Sequence, residues 1–251
     1  MSTPTRDPFA RLRAATPARI GLGRSGAAQP LSAQLAFQLA HARARDAVHQ
    51  RLDFDAIASD LAPLETICVR SAAPDRATYL RRPDLGRRLA ENTELPRLEV
   101  DVALVIADGL SSDAVQSHAA PTAQAIIAAL PELRFSPVIL AEQARVAIGD
   151  EIGACLGARV TILLIGERPG LTVADSLGAY LTFAPKPGTR DSARNCVSNI
   201  HGQGGLSTAQ AANTIAWITR EAFRLKLTGT GLKDRSDQTI ERNFPGQDAE
   251  R

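Results

Sequence analysis

Residues 100–107 read VDVALVIA, a nearly continuous apolar run of the length of one β-strand. A strand that is apolar on both sides of its pleat is buried on both faces, as strands are in parallel sheets covered by helices. Asp108 and Gly109 end the run. These features predict a central buried strand in a sheet with helices on both faces.

The chain that follows alternates strand and helix patterns. We predict further strands at 136–141, 160–165 and 178–184, and helices at 112–130, 143–156 and 208–227. Gly157 is the expected stop of the second of these helices, and Pro185 and Pro187 favour an edge position for the last strand. Alternation of this kind is typical of doubly wound folds. The sequence therefore predicts an α/β fold with a doubly wound, mostly parallel, Rossmann-like sheet and a helical N-terminal part.

The N-terminal part has a different pattern. Helices are expected at 32–52 and 55–62, with a short β-like run at 66–69. We therefore divide the chain into four regions, which are a flexible N-terminal arm (1–19), a mostly helical region (20–97), an α/β domain (98–232) and a polar tail (233–251).

Composition excludes several classes of protein. Hydrophobic residues make up 44% of the 251 residues and charged residues 22%, which is globular composition. Aromatic residues are only 4% and the net charge is +2, which argues against nucleic-acid binding. No run approaches the roughly 18 apolar residues of a membrane helix. Three widely spaced cysteines without a C-x-x-C motif argue against disulfides and structural zinc, and favour a reducing cytoplasm.

Residues 21–26 read GLGRSG and match the G-x-G-x-x-G pattern. A dinucleotide site needs a buried strand before this pattern and a helix directly after it. Residues 15–20 do not read as a buried strand, and Pro30 delays the helix. We prefer a flexible loop that lies against a partner, and keep a stand-alone nucleotide-binding α/β oxidoreductase as an alternative.

Ligands of open α/β sheets bind outside the carboxyl ends of the strands. Three segments are expected there, at 108–112, from Ala141 onward, and at 166–170. Asp108 has the alternative role of capping the next helix. Glu167 follows a buried strand directly and lies between Gly166 and Gly170, which permit close backbone approach. Its alternative role is a local ion pair with Arg168.

The helix predicted at 143–156 has one face poor in side chains. Val146, Gly149, Gly153 and Gly157 share that face, whereas Ile148, Ile152, Cys155 and Leu156 share the expected core face. Glycine costs roughly 1 kcal/mol per helical position relative to alanine, so two interior glycines need a reason. Either something large and flat presses on this face, or two helices cross closely there.

Residues 191–201 form a polar stretch that we predict to be a loop before the last helix. Cys196 in it is either a small buried hydrophobe or half of a Cys/His pair with His201. No nucleophile elbow, P-loop or H-E-x-x-H motif occurs. The chain is therefore typical of a binding subunit, with no catalytic residue and no metal ligand assigned.

Seven segments together resemble the small subunit of ethanolamine ammonia-lyase. They are RIGLGRSG (19–26), RDAV (45–48), DR with YLRRPDLG (75–76 and 79–86), IADGLS (106–111), RVAIGD (145–150), GERPG (166–170) and RNCVSNI (194–200). They occur in family order between residue 19 and about residue 232. The combination is specific, although each segment alone is weak.

The resemblance implies an adenosylcobalamin-dependent lyase that converts ethanolamine to acetaldehyde and ammonia. It implies a large-subunit partner that carries out the chemistry and is contacted by region 20–97, in a complex of six large and six small chains. It also implies that cobalamin lies against region 98–232, with contacts at Val146, Glu167 and Cys196. The expected roles are apolar packing for Val146, acceptance of a hydrogen bond from a corrin amide for Glu167, and a close small contact for Cys196.

Two expectations qualify this resemblance. No histidine lies in an Asp-x-His-x-x-Gly motif, so we expect bound cobalamin to keep its own base on cobalt, the base-on state. Family members packed into bacterial microcompartments often carry an amphipathic N-terminal extension, whereas residues 1–17 contain little that is apolar besides Phe9 and Leu12. We therefore expect the cytoplasm, with the microcompartment as the alternative. A non-catalytic scaffold subunit remains a further alternative function.

Overall fold

The computed structural model describes residues 7–16 and 18–236, and its centre is a six-stranded sheet. The strands are β1 (Thr66–Arg70), β2 (Val102–Ala107), β3 (Val138–Glu142), β4 (Val160–Gly166), β5 (Leu177–Phe183) and β6 (Asn195–Ile200). Their order is β1-β3-β2-β4-β5-β6. Strands β1, β3, β2 and β4 run parallel to one another, whereas β5 pairs antiparallel with both β4 and β6.

Helices lie on both faces of this sheet. The α-helices of the described residues are α1 (Ala10–Ala15), α2 (Leu31–His49), α3 (Phe54–Asp60), α4 (Arg76–Arg81), α5 (Ser112–Ala129), α6 (Ile148–Leu156) and α7 (Thr208–Leu225). Helices α5 and α7 pack on one face, with Leu104, Ile162 and Leu181 in the core between them and the sheet. Helix α6 packs on the other face, mainly on β2 and β4, over Val105 and Leu163.

The α/β prediction is confirmed. The run at 100–107 gives β2, in which all six residues are buried. The strand order, however, is not the 3-2-1-4-5-6 order of the dinucleotide-binding fold, so the Rossmann-like assignment is not confirmed. Strand β1, from the N-terminal part, pairs with β3 at one edge of the sheet.

Two predictions at the other edge are wrong. The strand predicted at 178–184 exists as β5, but it is antiparallel and interior because β6 pairs with it. The polar stretch that we predicted to be a loop forms β6 instead. Val197 and Ile200 face the core there, whereas Cys196 and Ser198 face outward, so the segment is half-buried and lacks an apolar run.

The N-terminal part contains a helix with its larger apolar residues turned outward. Ala47 of α2 is buried and Ala40 and Ala44 are partly buried, whereas Leu31, Leu35 and Leu39 are 67%, 54% and 53% exposed. At 100° per residue the three leucines fall on the side of the helix opposite these alanines. We call Leu31, Leu35 and Leu39 the leucine stripe of α2.

The glycine-rich stretch at 21–26 is a loop, as we preferred. Residues 18–20 before it form no strand, and Pro30 precedes α2. The context for dinucleotide binding is therefore absent from the described residues. Within the predicted arm, residues 10–15 form α1, and positions 1–6 and 17 lie outside the described residues, as do positions 237–251 of the predicted tail.

Among the described residues, no helix combines the length and the apolar character that crossing a bilayer requires. The same part of the chain contains no group of three or more histidine, cysteine or acidic residues suited to a metal ion.

Candidate functional site

A groove lies where one face of the sheet extends beyond its helix. Helix α6 covers mainly β2 and β4. On the same face, Tyr180 of β5 and Cys196 of β6 line a cavity beside the helix. Tyr180 and Cys196 are directly paired across the two strands, so their side chains project to the same side. The uncovered part of this face is a natural seat for a ligand or a partner.

The groove consists of two cavities of about 410 Å³ each. They share Arg145, Val146 and Tyr180 as a common wall. The first is completed by Pro83, Arg87, Ala147, Asp191, Arg194 and Cys196. The second is completed by Tyr79, Gly109, Leu110, Ile165, Gly166, Glu167 and Arg168. Residues from the ends of β2, β3 and β4 therefore meet here, as predicted for the carboxyl ends of parallel strands.

Val146 lies in the shared wall, but not on a helix. Helix α6 begins at Ile148, two residues later than the position of Val146, because the chain after β3 first makes a turn. Gln143 adopts a positive φ of 56° in that turn. Asp108 fixes it by accepting hydrogen bonds from the backbone N–H groups of Gln143 (3.1 Å) and Ala144 (2.9 Å).

The glycines predicted to share one face of this helix do not face the groove. Gly149 and Gly153 are buried against the protein itself, where Leu163 and Thr161 of β4 and Pro185 contact them. The helix-crossing alternative is therefore wrong, and the large, flat surface that presses on this face is the protein's own sheet and not a cofactor. The expected core face is right for Ile148, Ile152 and Leu156, whereas Cys155 is exposed.

Glu167 directly follows β4 and keeps one carboxylate oxygen available. Its Oε2 accepts hydrogen bonds from Ser176 Oγ (2.6 Å) and from the backbone N–H of Asn199 (3.5 Å). In the described part of the chain, Glu167 makes no ion pair with Arg168, so this alternative role is wrong. No described donor is bonded to Oε1, so this oxygen can accept a hydrogen bond from a ligand in the second cavity.

Cys196 is exposed on β6, which corrects its placement in a loop. Its Sγ lies 3.1 Å from Ser198 Oγ. Burial, together with the neighbouring Cys196 and the carboxylates of Glu167 and Asp191, raises the pKa of Tyr180. His201 is buried and accepts a hydrogen bond from Gln203, so the described structure gives no support to a Cys196–His201 catalytic pair.

Asp108 organises the strand ends and does not cap the next helix, since Ser111 caps α5. It is 3% exposed and also accepts hydrogen bonds from the N–H of Gly109 and from the guanidinium of Arg76 (3.1 Å). Burial raises the pKa of Asp108 to about 6, although Ala144, Arg76, Gln143 and Gly109 all oppose the shift. With these partners, Asp108 serves the structure and not a ligand.

A buried ion pair anchors the start of β6 beside the groove. Arg194 Nη2 lies 2.7 Å from Asp150 Oδ2 of α6, and both side chains are 2% exposed. Arg194 also donates to Thr182 and to the carbonyl of Thr189. Burial opposes the charged form, but the hydrogen bonds with Asp150 and Asp191 raise the pKa of Arg194. This network fixes the strand that carries Cys196.

The structure brings Val146, Glu167 and Cys196 together around Tyr180, and their contact with cobalamin stays a prediction. Sequence reasoning assigned no role to Tyr180, Arg145 or Tyr79, which also line the groove. Arg145 and Tyr79 occur in the segments on which the resemblance rests, so those segments could have indicated both residues as candidates. Tyr180 gave no signal, since a single tyrosine in a strand is commonplace.

Comparison with known proteins adds an independent finding. A family model described as ethanolamine ammonia-lyase light chain matches residues 6–233. A protein of Xanthomonas campestris named ethanolamine ammonia-lyase small subunit is 50% identical over 96% of this chain and 93% of its own length. Proteins of the same name from Azotobacter vinelandii (50% identical, 94% of this chain, 92% of the relative) and Bradyrhizobium diazoefficiens (51%, 94% and 95%) are similarly related.

Proposed function

Since the chain belongs to the ethanolamine ammonia-lyase light chain family, we propose that it is the small subunit of an enzyme that converts ethanolamine to acetaldehyde and ammonia. It acts with a large subunit that holds the substrate and carries out the chemistry. The described groove contains no nucleophile and base at hydrogen-bond distance that would suggest catalysis by this chain alone. The role of this subunit is to bind and cover a cofactor.

The cofactor is adenosylcobalamin, and the residues of the groove fit it. A corrin ring carries amide side chains at its edge, and Glu167 Oε1 is an acceptor without a described donor. Val146 and Ala147 give the first cavity an apolar surface, and Cys196 presents a small exposed side chain there. Bound adenosylcobalamin supplies the radical chemistry of the reaction, whereas Val146, Glu167 and Cys196 hold and orient it. The convergence of these three residues on one groove is the observation that carries the proposal.

Bound cobalamin keeps its own base on cobalt. An axial histidine from this chain would have to reach the groove, and no histidine lines either cavity. His118 lies on α5 beside Asp175, and His201 is buried after β6. Electron paramagnetic resonance of the loaded complex is expected to give the signature of the nucleotide base on cobalt, and ligation by a protein nitrogen from this chain would contradict this part of the proposal.

Region 20–97 contacts the large subunit, in a complex of six large and six small chains. The leucine stripe of α2 supports this assignment, because three exposed leucines on one helix face are unfavourable in water and typical of an interface. All three cysteines are free, which is consistent with a reducing cytoplasm, or with a microcompartment inside it.

The proposal is tested by co-expressing the chain with a candidate large subunit and adding adenosylcobalamin to the purified complex. We expect the visible spectrum of bound cobalamin and ethanolamine-dependent acetaldehyde formation in the complex, and neither in the separate chain. Binding of NAD(P)H by the chain alone would favour the oxidoreductase alternative. A stable complex that takes up no cobalamin would favour the scaffold alternative.

A further inference from the structure

Arg145 is a positive charge placed at the junction of the two cavities. It lies directly before Val146 and belongs to the wall that the cavities share. None of the residues in the described ranges brings a carboxylate within 4.0 Å of its guanidinium. Two other arginines of the first cavity already have carboxylate partners, since Arg87 pairs with Asp191 (3.5 Å) and Arg194 with Asp150.

The side chain of Arg145 is held in place without being neutralised. Its guanidinium carbon lies 4.3 Å from the centre of the Tyr79 ring, a cation–π contact. Its Nη2 reaches the Tyr79 carbonyl only at 3.5 Å, and its backbone N–H donates to Gly86 at 2.7 Å. Arg76 lies over the same ring at 4.8 Å, so the tyrosine is itself fixed.

Arg145 also lacks hydrogen-bond acceptors. Its Nε is buried and has no partner among the described residues. An arginine carries five donors in a rigid fork, and leaving them unmet in a partly buried position is unfavourable. A fork that is pre-oriented by a ring and short of acceptors is suited to an incoming anion, because little rotational freedom is lost on binding.

We propose that Arg145 binds the phosphodiester of the cobalamin nucleotide loop. This inference rests on the proposed function. The side chains of the corrin ring are neutral amides, so the phosphodiester is the only formal anion at the periphery of the cofactor. Arginine matches the oxygens of a phosphate with two parallel hydrogen bonds. A carboxylate of the large subunit is the competing partner, but it would have to enter the recess between the cavities where Val146 and Tyr180 also lie.

The test compares two ligands in the complex with the large subunit, and the readout is the absorption spectrum on titration. Adenosylcobalamin carries the phosphodiester and adenosylcobinamide lacks it. Arg145→Gln is expected to weaken binding of adenosylcobalamin by roughly 10- to 100-fold, the scale of a lost charged hydrogen bond. Binding of adenosylcobinamide is expected to be the same in Arg145→Gln and the wild type. Arg145→Lys, which keeps the charge, is expected to lose less.

Arg220→Gln is the matched control, because Arg220 is an exposed arginine of α7 that lines neither cavity. Equal weakening of both ligands by Arg145→Gln, or the same loss of adenosylcobalamin binding in Arg220→Gln, would overturn the proposal. So would a complex that assembles poorly in Arg145→Gln before any cofactor is added, since the partner would then be a carboxylate of the large subunit. Thermal unfolding of each complex identifies a variant that fails to fold, and Arg145→Lys then decides the test. If the wild-type complex binds no cobalamin, the proposed function fails and not only the assignment of Arg145.

Discussion

Gly178 of β5 lies directly against the side chain of Glu167, and a β-carbon added at Gly178 would lie 2.8 Å from Glu167 Oε1. The same added carbon would lie 3.1 Å from Glu167 Cγ. The absence of a side chain at Gly178 therefore makes room for the carboxylate at the end of β4. The free oxygen of the site depends on a glycine of the neighbouring strand.

Gly178→Ala is expected to weaken cobalamin binding by displacing the Glu167 carboxylate. Contacts below 3.0 Å force one of the two groups to move, and the flexible glutamate moves more easily than the strand. We expect a loss of about 1–3 kcal/mol, the scale of a hydrogen bond to a charged group. Titration of the assembled complex with adenosylcobalamin measures it. Unchanged affinity would show that the position of Oε1 is unimportant.

Glu167→Gln is expected to weaken the same binding by about 1–3 kcal/mol with little effect on folding, because the charge is lost and the shape is kept. Glu132→Gln is the control, since Glu132 is an exposed glutamate whose partner is Arg220. The losses in Glu167→Gln and Gly178→Ala should not add in the double variant, because both act on one carboxylate. Additive losses would mean that Gly178 acts by another route.

Gly153→Ala is expected to destabilise the fold and not the cofactor site. An added methyl group would overlap Thr161 Oγ1 and lie 2.5 Å from Pro185 Cγ. Overpacking of this kind costs about 1–3 kcal/mol, against a gain of roughly 1 kcal/mol in helix propensity. Gly202→Ala is the control because nothing lies within 4 Å of its added carbon. Urea unfolding measures both, and weaker cobalamin binding with unchanged stability in Gly153→Ala would restore the cofactor-facing interpretation.

Local pattern predicted the buried strands β2 and β4 because uninterrupted apolar runs have few alternatives. Strand β6 was missed because Cys196 and Ser198 interrupt its apolar side chains, and a β-bulge disturbs its pairing with β5. Glu167 was predicted from its position at a strand end. The stacking of Arg145 on Tyr79 joins residues 66 apart, and no local pattern encodes such a contact.

The position of Val146 was missed for a similar reason. The sequence from 143 onward is compatible with a helix, but the Asp108 carboxylate takes the N–H groups of Gln143 and Ala144 and holds them in a turn. A hydrogen bond to Asp108, 35 residues earlier in the chain, therefore sets where α6 begins. Tertiary contacts override local propensity in this way wherever a buried polar group must be satisfied.

Asp108 is expected to give the folded chain a distinct pH dependence. Its pKa is raised to about 6 from 3.8, so the folded state holds this proton more tightly than the unfolded state does. The contribution of this protonation to the free energy of unfolding is fully present below about pH 4. It is lost as the pH rises through 6, a decrease of about 2–3 kcal/mol. Asp108→Asn has no carboxyl group to titrate and therefore lacks this pH-dependent contribution. Urea unfolding at pH 4 and pH 7 should therefore show the wild type gaining stability relative to Asp108→Asn at the acid side, and the opposite trend would mean that Arg76 and the three N–H groups keep the carboxylate ionised.

Leu35→Glu is expected to weaken assembly with the large subunit, because it places a charge in the middle of the leucine stripe. Leu35 is 54% exposed in this chain, so the substitution costs little in the separate subunit. Burial of one leucine at an interface is worth about 2 kcal/mol, so the dissociation constant should rise by roughly thirtyfold or more. Co-purification with a tagged large subunit over a concentration series measures the effect.

Leu225→Glu is the matched control, since Leu225 is an exposed leucine at the end of α7. Loss of assembly in Leu225→Glu with normal assembly in Leu35→Glu would move the interface from α2 to α7 and leave the leucine stripe without a partner in this complex.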